Sequence, residues 1–320
     1  MTRLADALER ANRTPDPLPQ PAAVTTPHAH PHPVAPAPMS ASPARRLQPA
    51  AIVPARLTPP PPLYAPNTPL LSMPTDGDQC SAWRTDPQLV GKLLGTDGFS
   101  GAALEQYRKL AATLHHAQGE RGIKVIMMAS ALPGEGKSLT AVNLALTLSD
   151  SYHKRVLLVD ADLRRPTIQR VFGLAALGGL NDGLKLPEDR AMAVTPISER
   201  LFVLPAGRPE PDPMSGLTSD RMRRLITQAA AAFDWVILDT PPVGLLPDAS
   251  LLAELVDGVL LVVRAGKAPF ALVKRTVDAI THDRILGVVM NAVDYAHDHN
   301  AGGYYEYYGY GYYTGNAGQK

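Results

Sequence analysis

Ala131-Leu132-Pro133-Gly134-Glu135-Gly136-Lys137-Ser138 brings together residue types suited to holding the phosphates of a nucleotide. Glycines let backbone N–H groups turn toward phosphate oxygens, Lys137 can reach the β- and γ-oxygens, and the Ser138 hydroxyl can ligate Mg2+. The first position is Ala131, where the general G-x-x-x-x-G-K-[ST] pattern has glycine. Two further stretches end apolar runs in acid: Val156–Val159 leads into Asp160-Ala161-Asp162, and Trp235–Leu238 leads into Asp239-Thr240-Pro241-Pro242. A single acid in such a place reads as a cap or turn residue, whereas three beside a phosphate loop read as magnesium ligands and a base. If strand geometry persists past Val159, alternation points Asp160 and Asp162 the same way. The third candidate is a set of acceptors. Seven of the eleven tyrosines, Tyr304, Tyr305, Tyr307, Tyr308, Tyr310, Tyr312 and Tyr313, share one Gly-rich stretch without Val, Ile or Leu, so their phenols are expected to be accessible.

These residues need elements to position them. An apolar run at Val125–Ala129 ahead of the loop and a helix-length stretch at Leu139–Ser149 behind it make the strand, phosphate loop and helix order that a P-loop requires. Gly101–His116 has helical periodicity through Leu104, Tyr107, Leu110 and Leu114. Further buried strands are expected at Val156–Val159, Leu201–Leu204, Trp235–Leu238, Val259–Val263 and Leu286–Val289, with helices at Ser219–Ala232 and Pro269–Thr281 between them. Repeated βα units of this kind imply an α/β P-loop NTPase fold, a mostly parallel sheet with helices on both faces.

Composition divides the 320 residues. Of 32 prolines, 19 precede residue 75. Residues 15–96 are therefore expected to be a disordered Pro/Ala-rich linker between a short amphipathic helix in 1–14, carrying Leu4, Ala7, Leu8 and Ala11 on one side, and a catalytic domain over 97–300, with the tyrosine tail at 301–320. His28, His30 and His32 lack acidic or thiolate partners and carry no metal assignment. The single Cys80 rules out an internal disulfide and suits a reducing compartment. A formal net charge of +1 gives no sign of a nucleic-acid surface. No apolar run exceeds strand length, so no membrane span is expected.

The combination of the Pro-Gly-Glu-Gly-Lys-Ser loop, Leu-Leu-Val-Asp-Ala-Asp-Leu-Arg-Arg-Pro at 157–166, the stretch ending Asp239-Thr-Pro-Pro, Gly287-Val-Val-Met-Asn291 and the tyrosine tail resembles the bacterial tyrosine autokinases of capsule and exopolysaccharide synthesis, over about residues 101–313. The resemblance implies an ATP- and Mg2+-dependent enzyme that phosphorylates its own tail tyrosines and so regulates polysaccharide polymerisation and export. Position by position it implies Lys137 and Asp160 as catalytic residues, the latter as base. Gly134, Glu135, Gly136, Lys137, Ser138 and Leu139 would line the phosphates, Asn291 would meet the adenine, and Ser138, Asp162 and Asp239 would serve the metal. It also implies a cytoplasmic protein recruited to the inner face of the membrane by an activating chain-length-determinant protein, with a protein-tyrosine phosphatase as counterpart and a homo-oligomer as one state. The family's ring motif, Glu-x-x-Arg-x-x-Arg, is matched by Glu105 and Arg108 but has Ala111 at its last place. The same residues on their own, without a partner, would form a solvent-facing i,i+3 pair.

Two other classes share part of this pattern. Partition and division-site ATPases carry an early loop lysine where this chain has Leu132, and a basic amphipathic C-terminal helix that this chain lacks. A non-catalytic ATP-binding scaffold of a polysaccharide export complex would use the tail for stacking alone.

Overall fold

The computed structural model describes residues 69–74, 86–174, 178–187, 190–243 and 248–293. The chain divides into two units, Met1–Pro66 and Asn67–Lys320, and every described residue lies in the second. The amphipathic stretch in 1–14 and the tyrosine tail lie outside the described residues.

A seven-stranded sheet organises the unit, built from β2 (Val125–Ser130), β3 (Val156–Asp160), β5 (Thr195–Pro196), β6 (Leu201–Leu204), β7 (Trp235–Asp239), β8 (Gly258–Arg264) and β9 (Ile285–Asn291). Their order is β5-β6-β3-β7-β2-β8-β9, parallel throughout except for the β5–β6 pair at one edge. Each expected strand is present within about two residues of its expected ends, as the long Val/Ile/Leu runs require when both faces of a sheet are covered. Alternation assigns the two faces. Val125, Met127 and Ala129 of β2 enter one apolar cluster, with Leu157, Val159, Val236 and Leu238, while Ile126 and Met128 enter the other, with Val156, Leu158, Trp235 and Ile237.

The second cluster is closed by α1 (Gly101–Arg121) and α2 (Lys137–Ser151). Ser100 caps α1 through the Ala103 amide and Gly122, at φ 69°, ends it in the left-handed conformation that favours glycine. The short α3 (Ile168–Val171) adds its two buried apolar side chains to the same cluster. On the opposite face lie α4 (Leu180–Leu184), α5 (Met214–Leu217), α6 (Asp220–Ala232), α7 (Asp248–Ala253) and α8 (Phe270–Ile280), each contributing apolar residues to the first cluster. Ser219 caps α6 by accepting from Met222 N–H.

Part of the expected linker belongs to this folded unit. Residues Leu71–Ser72 form β1, which pairs in parallel with β4 (Met192–Ala193), and Leu70 beside it is fully buried with its N–H donated to Gln228 Oε1 at 2.7 Å. Residues 86–96 also pack on the unit. Leu93 is fully buried, and Asn143, 2 % exposed in the middle of α2, accepts from Leu94 N–H and donates to Lys92 C=O, both at 2.9 Å. The boundary expected at residue 97 therefore falls too late. Composition alone averaged over a few apolar anchors, Leu70, Leu71 and Leu93, that find buried positions.

Candidate active site

All the chemistry-bearing residues of the described chain stand at the carboxyl ends of neighbouring parallel strands. The phosphate loop follows β2, Asp160 ends β3 and Asp239 ends β7, and β7 lies between β2 and β3 with Asp160 and Asp239 in register as neighbours. The chain leaves β2 toward β3 on one side and returns to place β8 and β9 on the other, so the loop sits at the switch point where open α/β sheets bind ligands.

The loop itself is shaped by two left-handed glycines, Gly134 at φ 75° and Gly136 at φ 90°. Gly136 is also required sterically, because a Cβ there would collide with the Asn291 side-chain amide. The N-terminus of α2 carries no side-chain cap, in contrast to the serine-capped α1 and α6, which leaves its first amides to a ligand. Glu135 is 1 % exposed, and its carboxylate accepts from Leu132 N–H at 2.7 Å and from Arg264 N–H at 3.3 Å, tying the crown of the loop to the end of β8. Asn291 donates its amide to the Glu135 carbonyl at 2.8 Å, which fixes the end of β9 against the loop.

Beneath the loop, Lys137 is buried and ion-paired with Asp239 Oδ1, and its Nζ is 3.5 Å from Ser138 Oγ. The other carboxylate oxygen of Asp239 is buried without a hydrogen-bond partner. Asp160 is fully buried. Its Oδ2 accepts from Thr167 and Ile168 N–H, both at 2.9 Å, and Oδ1 accepts from Asp162 N–H at 3.3 Å. Burial first, and then the charge of Asp239, push its carboxyl up to about 7, against the lowering effect of the two amides and Lys137. Asp162, 9 % exposed, is also raised by burial, opposed chiefly by Lys137, and its Oδ1 accepts from Arg165 N–H at 3.0 Å.

The three aspartates and Lys137 therefore meet. β3 ends at Asp160, but Ala161 N–H still bonds the Asp239 carbonyl at 2.8 Å, so the pairing with β7 runs one residue past the strand end toward Asp162. Arg264 escaped the reading of the sequence because it ends β8, in a stretch that carries no motif. Its contact with the loop follows from the β2–β8 pairing. The seven tyrosines lie outside the described residues.

A divalent cation fits this chemistry. Mg2+ is held by one or two carboxylates together with waters and substrate phosphates, and Asp239 offers a buried oxygen with no other partner beside a less buried Asp162. Among the described residues no three acidic, His or Cys side chains form a ready-made metal cage.

Comparison with known proteins places these features in a lineage. The family described as ParA: NUBPL iron-transfer P-loop NTPase matches residues 122–315. The tyrosine-protein kinase YwqD of Bacillus subtilis is 38% identical over 204 residues, covering 63% of this chain and 85% of that protein. The succinoglycan biosynthesis transport protein ExoP of Rhizobium meliloti is 37% identical over 180 residues, covering 53% of this chain and only 22% of that longer protein. Among solved structures, the kinase domain of Escherichia coli tyrosine kinase ETK superposes with a TM-score of 0.57 at 30% identity, covering 62% of this chain and 78% of that one.

Proposed function

Because the chain belongs to the bacterial tyrosine-protein kinases, P-loop proteins of the ParA type, we propose that it transfers the γ-phosphoryl group of ATP to the tyrosines of its own C-terminal stretch, within a system that makes and exports an exopolysaccharide or capsule. The observation that carries the site assignment is the buried Lys137–Asp239 pair under an uncapped helix N-terminus, with one Asp239 oxygen left without a partner. Phosphoryl transfer asks for positioning and charge neutralisation more than covalent help. The amides of Gly134 to Leu139 cradle the phosphates, and Lys137 turns from Asp239 toward the β- and γ-oxygens. Ser138, Asp162 and Asp239 would hold Mg2+, which when bound neutralises charge on the phosphate chain. Asp160, with its carboxyl near 7, takes the proton of the attacking phenol as the tyrosine oxygen bonds to the γ-phosphorus and the β–γ bridging oxygen leaves with ADP. Asn291 faces the loop and serves the adenine.

The tail leaves the domain at this edge. β9 ends at Asn291 against the phosphate loop, and Tyr304 follows 13 residues later. Thirteen residues of chain span at most about 45 Å, enough for the chain's own site or a neighbour's. Among the described residues no helix is long and apolar enough to cross a membrane. We infer recruitment to the inner face of the cell membrane by an activating chain-length-determinant protein, a reading the polysaccharide-transport name of one relative favours.

Incubation with γ-labelled ATP and Mg2+ tests the reading. Label on tyrosine is the expected result. Release of free phosphate without labelled protein would instead make the chain a switch ATPase, and neither product would make it a scaffold. Asp160→Asn and Asp162→Asn then test the division of labour: the first should bind Mg·ATP but transfer slowly, the second should lose the magnesium dependence of binding. Equal effects of both on nucleotide affinity would remove the distinct roles.

A further inference from the structure

The phosphate loop has a second cationic wall that none of its motifs contain. Arg264 ends β8 and is followed by a tight turn in which Lys267 N–H bonds the Arg264 carbonyl at 3.2 Å and Gly266 takes the left-handed conformation at φ 69°. The turn folds Lys267 back over the loop. Its Nζ stands 3.3 Å from where a Cβ on Gly134 would lie, and Arg264 Nη1 donates to the Gly134 carbonyl at 3.4 Å. Both side chains are exposed, and neither has an acidic partner within ion-pair distance among the described residues.

Charge at the site favours such a wall. Lys137 is the motif's only cation, and it is neutralised by Asp239. Asp160 and Asp162 add further acid beside it, and burial together with the charge of Asp239 raises both carboxyls. An anionic phosphate chain approaching this edge meets an excess of carboxylate over ammonium, so positive charge beside the loop, in addition to that of Mg2+, favours its binding. Arg264 and Lys267 supply it at the loop itself.

Building on the nucleotide-site reading above, we propose that Lys267 is a direct phosphate contact of the bound nucleotide, with Arg264 holding the loop against it and adding to the local positive potential. The alternative source of the same chemistry is a phosphate on a tail tyrosine. The position of the ammonium beside Gly134, a residue of the loop that cradles nucleotide phosphates, favours the nucleotide.

Equilibrium binding of Mg·AMP-PNP, ADP and adenosine to the full chain tests this, using Lys267→Glu, Lys267→Ala and Lys267→Arg. The expected result is at least about tenfold weaker AMP-PNP binding for Lys267→Glu, about fivefold for Lys267→Ala and less than about twofold for Lys267→Arg, with adenosine affinity unchanged. Unchanged AMP-PNP affinity in Lys267→Glu overturns the proposal, and so does an equal loss for adenosine, which would mark a general distortion of the pocket. The same series in full-length chain carrying Phe at all seven tail tyrosines should give the same ratios. Disappearance of the effect there would assign the cation to tail phosphates and also overturn it. Lys137→Met run in parallel separates the two readings: if that variant binds AMP-PNP like the wild type, the nucleotide site itself is misassigned, whereas if it fails to bind and Lys267→Glu binds normally, only the second wall is lost.

Discussion

Two buried polar clusters flank α2, and they are built on opposite principles. In the middle of the helix, Asn143 has its side-chain oxygen and nitrogen bonded to Leu94 N–H and Lys92 C=O, with the Tyr107 hydroxyl at 3.4 Å completing the set. At the helix N-terminus, three carboxylates share one lysine, an oxygen of Asp239 has no partner, and two of the acids are held above their ordinary range. A buried polar group that is fully bonded contributes to stability, and one left short costs free energy. The first cluster anchors the segment 86–96 to the domain. The second keeps an unfavourable arrangement that only a cation and a phosphate chain relieve, as functional sites do.

That contrast predicts opposite outcomes for substitutions on one helix. Lys137→Met should lower tyrosine phosphorylation by on the order of 10³-fold, because the charge acts on the phosphates. Its melting temperature should also fall, since the variant leaves the buried Asp239 carboxylate without its cation, so activity is compared per folded molecule. Kinase assay alongside thermal melting checks both, and wild-type phosphorylation by the purified variant would refute the assignment.

Asp160 gives the next effect, with a sign set by pH. Its carboxyl titrates near 3.8 in the unfolded chain and near 7 in the fold, so the native state holds the extra proton between those values. Stability therefore falls as pH rises from about 4 to about 7, by at most roughly 4 kcal/mol at about 1.4 kcal/mol per pH unit. Asp160→Asn keeps an oxygen for the Thr167 and Ile168 amides but cannot ionise. In EDTA the variant should match the wild type near pH 4 and exceed it by a few kcal/mol at pH 8. A gap that is constant across this range would show that the burial penalty is relieved in some other way.

Asn143→Ala should do the reverse of Asp160→Asn. Removing the amide strands Leu94 N–H and Lys92 C=O and should cost about 2 kcal/mol at every pH. Activity per folded molecule should hold, and protection from hydrogen exchange should be lost first in 86–96. A fall in kcat without a fall in stability would mean that this anchor reaches the site.

The two clusters also differ in how far the sequence discloses them. Glycines, a lysine and acids placed just past Val/Ile/Leu runs have few other readings, and parallel strands bring such positions to one edge whatever the loops do. Asn143 is one polar residue in an amphipathic-looking helix, and its partners come from a segment whose proline-rich neighbourhood masks Leu93. Arg264 and Lys267 were hidden for a related reason. Their proximity to Gly134 depends on β8 lying beside β2, a pairing across 130 residues of chain that no local pattern encodes.

The smallest effect concerns the surface of α1, where the pair Glu105–Arg108 at 2.7 Å is about half exposed on both sides. Exposed i,i+3 pairs contribute a few tenths of a kcal/mol. Three residues further along the same helix, where the ring motif of the family would carry its second arginine, Ala111 is fully buried against the apolar cluster. The helix face that would complete the motif is thus turned inward, and a long cation could not replace Ala111 without displacing that packing. The pair is left as a solvated surface feature. The double variant Glu105→Ala/Arg108→Ala should shift the melting temperature by no more than about 2 °C and leave the mass in light scattering unchanged. A clear drop in mass on mutation would show that the first two motif positions support self-association without the third.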